Sequence, residues 1–156
     1  MATVGGLETP SGVTLVVVDA DQRPLMVADA ADERAAANGA SEVLRAQCRT
    51  LGRGAPYALL VSPTTIRIFN GAGPEAVVQL STPDVLGSYH AEWSLWRHSP
   101  RYLIALAEAW LSDLAWGWRG RPAPGSEALE AIGLAAKLRR AAPSHVHPDE
   151  DGGLRP

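Results

Sequence analysis

Few side chains in this chain stand in patterns that could do chemistry, and the densest group lies near its end. His145-Val146-His147, followed by Asp149, Glu150 and Asp151, offers imidazole and carboxylate donors of the kind that hold a metal ion. The surrounding segment 142–156 is polar and rich in proline and glycine, which predicts a disordered tail with no framework to fix a coordination geometry. His90 and His98 flank an aromatic segment and carry groups that titrate near neutrality, but as isolated histidines they read as surface or packing residues. Ser62 and Ser99 each precede a proline outside any G-x-S-x-G elbow, so serine catalysis has no support. Gly71-Ala72-Gly73 is too short for a dinucleotide fingerprint and precedes a strand pattern rather than a helix. Lys137 is the only lysine, which narrows every mechanism that needs an ammonium group.

All five tryptophans fall between positions 93 and 118, a clustering that points to one face or one layer. Trp110 repeats in phase with Leu103, Leu106 and Leu114, so it predicts core. Trp116 and Trp118, in "WGWRGR", are harder to bury together and are the interface candidates, with Arg119 and Arg121 beside them. The same four residues could stack on unpaired bases. A protein surface is preferred because the surrounding charge is not strongly basic.

The chain has 156 residues, 46% of them hydrophobic and 20% charged, which suits one globular domain with a real core. A net charge of -3 gives no overall footprint for a phosphate backbone, although a local patch leaves nucleic acid possible. The single cysteine, Cys48, cannot form an internal disulfide, so the cytoplasm is the expected compartment. Neither a signal peptide nor a membrane span is visible in the pattern, and no membrane partner is expected.

Val13 to Val18 is β-branched and almost uninterrupted, as in a strand buried on both faces, and Asp19 to Arg23 turns it into a second run from Pro24 to Ala28. Ser41 is a helix N-cap ahead of Val43, Leu44, Cys48 and Leu51, and Gly52 and Gly54 end that helix. Tyr57 to Val61, Ile66 to Phe69 and Ala76 to Leu80 form a meander of three further strands. Thr82-Pro83-Asp84 opens a short helix through Leu86, and Ser99-Pro100 opens a long one. Ser126 to Ala141 predicts a single amphipathic helix with Leu129, Ile132, Ala136 and Arg140 on its stripe.

Taken together, "GVTLVVVDADQRPLMVADAAD", a helix, and "GAPYALLVSPTTIRIFNG" resemble the restriction-endonuclease-like PD-(D/E)XK fold. The likeness is to the N-terminal nuclease-type domain of type I restriction R subunits, over roughly positions 13–80. The resemblance implies an Asp near the start of the first hairpin strand and an acidic residue, any residue and a Lys on the next. Hard carboxylate oxygens there hold Mg²⁺, and the lysine activates the attacking water. Carried onto this chain, the first acid falls at or beside Thr14, the second at Asp29 and the lysine at Ala31, so only Asp29 matches. Asp19, in the turn, and Lys137, on a distant helix, are the remaining candidates for an active site. The helix also lacks the early glutamine implied by the resemblance, since Val43 and Leu44 stand there.

The expectation is therefore an α/β (α+β) domain: a central mixed sheet of about five strands flanked by helices, with a helical C-terminal extension. A flexible N-terminus over 1–12, one domain over 13–141 and a disordered tail over 142–156 complete the organisation. The expected role is a catalytically degenerate nuclease-like module that binds a protein partner or a second copy of itself, with no cofactor. The alternatives are a Mg²⁺-dependent nuclease using Asp29 and Asp19 as metal ligands with Lys137, and a nucleic-acid-binding module that does not cut.

Overall fold

A computed structural model describes residues 2–9, 12–19, 21–50, 56–70 and 75–141. Six strands form one sheet in the order β1 (Ala2–Thr9), β2 (Gly12–Val18), β3 (Pro24–Ala30), β4 (Tyr57–Val61), β5 (Thr65–Asn70) and β6 (Ala76–Ser81). Every neighbouring pair is antiparallel except β3 and β4, which run parallel with Met26 opposite Tyr57 and Ala30 opposite Val61. Parallel neighbours need a crossover, and it consists of α1 (Glu33–Ala37) and α2 (Ala40–Thr50). Asp32 caps α1 by accepting the Ala35 N–H at 2.7 Å. Glu33 then ties the crossover to the β4–β5 turn, taking hydrogen bonds from the Thr64 N–H at 2.8 Å and hydroxyl at 2.7 Å.

The fold class agrees with the sequence pattern, while several details depart from it, among them Ser41, which lies inside α2 and not at its N-cap. Positions 2–9, expected to be flexible, form a strand that pairs with β2 and raises the sheet to six strands. The pairing register slips between Thr3 and Gly6, and the small residues there give no hydrophobic alternation from which to read a strand. The single helix expected over 126–141 is two, α6 (Ser126–Ala131) and α7 (Leu134–Ala141), broken at Gly133, whose φ is 82°. With that break the inward stripe becomes Leu129, Leu134, Ala135 and Leu138, and Arg140 lies outside it, exposed. The remaining short helices are α3 (Thr82–Leu86) and α4 (Trp93–Trp96).

The two faces of the sheet carry separate cores. On one, Val27, Ala31, Ala58, Leu60 and Phe69 meet Ala40 and Leu44 of the crossover. On the other, Leu15, Val17, Met26, Leu59, Ile66 and Ile68 are covered by the C-terminal helices. The principal cover is α5 (Pro100–Trp116), which packs on β2, β3 and β4. Ser99 caps α5 by accepting the Tyr102 N–H, Pro100 sets its first turn, and Gly117 ends it in the left-handed conformation. Leu103, Leu106, Ala107, Trp110, Leu111 and Leu114 point inward, as their spacing predicts. Trp110 is fully buried and its indole N–H donates to the Pro124 carbonyl at 2.8 Å. One side chain thus fixes both the sheet cover and the linker to α6.

Candidate functional site

Exposed large apolar side chains flank α5, Leu95 and Trp96 on α4 before it and Trp116 and Trp118 at and just past its end. Leu95 is 73% exposed, Trp96 51%, Trp118 55% and Trp116 44%. Large apolar side chains left this open, and this close in sequence, mark contact surfaces more often than accidents of folding. At the start of α5 stands a ring cluster in which Trp93, Trp96 and His90 all meet Tyr102, with centroids 6.4, 6.5 and 5.6 Å away. His90 Nδ1 and the Tyr102 hydroxyl share a hydrogen bond of 2.7 Å, and the Trp96 indole N–H donates to Glu92 Oε1 at 3.3 Å. Burial, and then the negative charge of Glu92, raise the pKa of Tyr102 above its ordinary 10.0.

At the other end of α5 the chain folds back on itself. Arg119 Nε donates to Asp113 Oδ2 at 3.0 Å, and its guanidinium lies over the Tyr89 ring at 3.9 Å. The same guanidinium donates to the Ser88 carbonyl at 3.2 Å. The Tyr89 hydroxyl donates to the same Asp113 Oδ2 at 2.6 Å. Burial and that carboxylate hold the Tyr89 pKa far above its ordinary 10.0. Arg119 is therefore an internal clamp and not the exposed interface or base-stacking residue that the sequence suggests, its side chain being 11% exposed. Trp116, Trp118 and Arg121 do lie at the surface. Trp118 leans its ring toward Tyr89 at 6.1 Å and points its indole N–H at the Ala109 carbonyl, 3.4 Å away, so the clamp also sets where this tryptophan stands.

No protein family, curated protein or solved structure matches the chain.

The residues proposed for metal-dependent cleavage are drawn apart. Asp29 is fully buried on the α2 face of the sheet, with Oδ1 accepting the Ala30 N–H at 2.9 Å. Asp19 lies at the opposite end of the β2–β3 hairpin. At about 3.3 Å per residue, the five residues from Pro24 to Asp29 span roughly 17 Å of strand. Lys137 shares a cleft of about 380 Å³ with Asp19, Asp21, Arg23 and Arg140, and its ammonium sits 5.4 Å from the centre of the Tyr57 ring. The two carboxylates in that cleft serve the turn. Asp19 Oδ1 accepts the Asp21 and Arg23 N–H groups at 2.8 and 3.0 Å, and Asp21 Oδ2 takes Arg23 at 2.9 Å. Those bonds, the Arg23 N–H first, hold the Asp19 carboxyl below its ordinary 3.8 despite partial desolvation. So Lys137 and Asp19 line one cleft, and Asp29 is not among the residues that line it.

Among the described residues no three His, Cys, Asp or Glu side chains gather as a metal-ligand set, and no helix is long and apolar enough to cross a membrane. His145, His147, Asp149, Glu150 and Asp151 lie outside the described residues. Sequence reasoning missed Tyr89, Asp113, Leu95, Trp96 and Tyr102. An acid at position 113 inside the apolar stripe of a helix was the one available signal that a buried partner would be needed.

Proposed function

We propose that this chain works by contact rather than turnover, as a non-catalytic, nuclease-like module that binds a protein partner or a second copy of itself. The observation that carries this is the exposure of large apolar side chains at both ends of α5, Leu95 and Trp96 before it and Trp116 and Trp118 at and just past its end, all between 44% and 73% exposed. The nuclease-like reading draws support from register: Thr14 stands directly opposite Asp29 across β2 and β3, where an acid would meet it. In this chain that neighbour is a threonine. Ala31, two residues beyond Asp29, is 1% exposed and packs in the core, so no ammonium group stands at the place the resemblance implies. A cytoplasmic setting is the one that a lone cysteine favours.

The Mg²⁺-dependent nuclease using Asp29, Asp19 and Lys137 is the rival, supported by the cleft that Asp19 and Lys137 share and opposed by the distance to Asp29. Nucleic-acid binding without cutting loses Arg119 as a stacking or phosphate-contacting group, because that side chain is enclosed by Asp113, Tyr89 and Ser88. Two measurements test the proposal. Incubation with DNA or RNA and Mg²⁺ or Mn²⁺ should give no cleavage; cutting that disappears in Asp29→Ala overturns it. Light scattering should show association that weakens when Trp116 and Trp118 are both replaced by alanine. A strict monomer whose replacement at both sites changes no binding counts against the contact reading.

A further inference from the structure

Leu95 is the most exposed large apolar side chain among the described residues, and Trp96 beside it is half exposed. Their position follows from how α4 is anchored. Trp93 packs against the main core and on Tyr102, and Leu95 and Trp96, further along the same short helix, are left to water. The charge that follows them is of one sign. From Trp93 to Ala107 the chain carries Arg97, His98 and Arg101 and no aspartate or glutamate, in a protein whose net charge is -3. Arg97 and Arg101 are exposed, and among the described residues neither joins an ion pair, whereas Arg23, Arg119 and Arg139 each hold a carboxylate. Arg101 stands in the first turn of α5, which has no acidic residue, so the positive end of the helix dipole adds to its charge. Glu92, at the edge of the patch, accepts the Trp96 indole N–H at 3.3 Å and offsets one of the two arginines, leaving the face net positive.

We propose that this face docks a protein partner through a segment that carries carboxylates beside bulky apolar side chains, the apolar groups resting on Leu95 and Trp96 and the carboxylates on Arg97 and Arg101. The two halves do different work. Apolar contact supplies the area removed from water, while the arginines select the sign of the partner and, with their planar fork of donors, match a carboxylate in two bonds. A second copy of the chain does not fit this face, because a two-fold pairing of the face with itself sets the arginines of each copy against those of the other. Unpaired bases would stack on Trp96, but two arginines in a chain of net charge -3 supply little of the phosphate neutralisation on which such binding rests. The face therefore rewards a partner that is both acidic and apolar and discriminates against a basic one.

This inference rests on the contact reading, names the chemistry of its partner, and is tested separately from it. The full chain, labelled with ¹⁵N, is titrated with a short capped peptide of alternating glutamate and leucine while the Trp96 indole N–H resonance, assigned by Trp96→Phe, is followed. The same peptide with glutamine or lysine in place of glutamate, and single-stranded oligothymidylate, are the comparisons. The resonance should move and saturate with the acidic peptide, with a Kd on the order of 1 mM for so small a probe, and the glutamine and lysine peptides should bind several-fold more weakly. An exposed ion pair is worth a factor of about 1.5 to 5, so replacing Arg97 and Arg101 together by glutamine should weaken binding by about two- to twenty-five-fold. Leu95→Ala should weaken it by about fivefold. All three positions are exposed, so the fold survives the changes. Absence of a saturable shift, equal binding of the glutamine or lysine peptide, undiminished binding in either variant, or tighter binding of oligothymidylate overturns the proposal. So does a Trp96 shift that grows with protein concentration in the absence of peptide, the mark of a second copy on this face. The contact reading itself is judged at Trp116 and Trp118 and by the cleavage assay, so its failure is distinguishable from failure at Leu95.

Discussion

Replacing Asp113 by alanine removes the shared acceptor of the Tyr89 hydroxyl and of Arg119 Nε. Asp113 has no exposed side-chain surface and Arg119 keeps 11%, so the stranded guanidinium regains little water. Breaking a buried ion pair from one side costs about 3–5 kcal/mol, and the residual access of Arg119 places the loss near the lower end, about 3 kcal/mol. The Tyr89 hydroxyl, half-buried, adds less than the roughly 1 kcal/mol of a neutral hydrogen bond because it is partly rehydrated. For a chain of this length the total, about 3–4 kcal/mol, corresponds to a fall in Tm of about 6–16 °C. Urea unfolding should show the lowered midpoint with an unchanged slope. The double replacement Asp113→Leu with Arg119→Met is the decisive comparison. If the cost arises from an orphaned charge, the double variant is more stable than Asp113→Ala alone. A single-variant loss below about 1 kcal/mol, or a double variant at least as unstable as Asp113→Ala, refutes the reasoning.

Two other perturbations follow from the same geometry. The turn bonds to Asp19 keep its folded-state pKa below 3.8, so the stability they contribute is complete above that value and is lost as pH falls through the lower, folded one; an NMR titration should place the Asp19 midpoint below 3.8, and Asp19→Asn should flatten that part of the acid limb. Gly125 begins α6 at a φ of 76°, and an added Cβ would also stand 3.0 Å from a Leu80 methyl. Gly125→Ala should therefore cost about 1–2 kcal/mol in urea unfolding, and Gly125→Asn less, since asparagine tolerates the left-handed region.

What could be read from the residues was what depends on local periodicity. The β-branched run into Val18, the alternation of Ile66 to Phe69 and the three- and four-residue steps from Leu103 to Leu114 each bury the face they predict. Positions 2–9 escaped because glycine, alanine and threonine carry no such alternation, and a strand there exists only through its pairing with β2. Gly133 escaped because one glycine within a helical pattern does not say whether the helix bends, stops or continues. The site was harder. Arg119 looked free because its partner Asp113 lies on the preceding helix, and only the left-handed turn at Gly117 brings the two together. Trp110 was legible through its phase with its neighbours, but nothing local places Trp93 and Trp96 on Tyr102, which needs the chain to turn between α4 and α5.

The sheet has a consequence for how the chain is made. Its strands lie in the order in which they are synthesised, so each can pair with the one before it as it emerges, and the crossover helices arrive in time to cover one side. The other side waits. Val17, Met26, Leu59, Ile66 and Ile68 acquire their lid only once α5 has been translated, after every strand is already present. A nascent or prematurely terminated chain ending before Pro100 would carry a complete, one-sided hydrophobic slab, the kind of surface that chaperones capture and that aggregates when they do not.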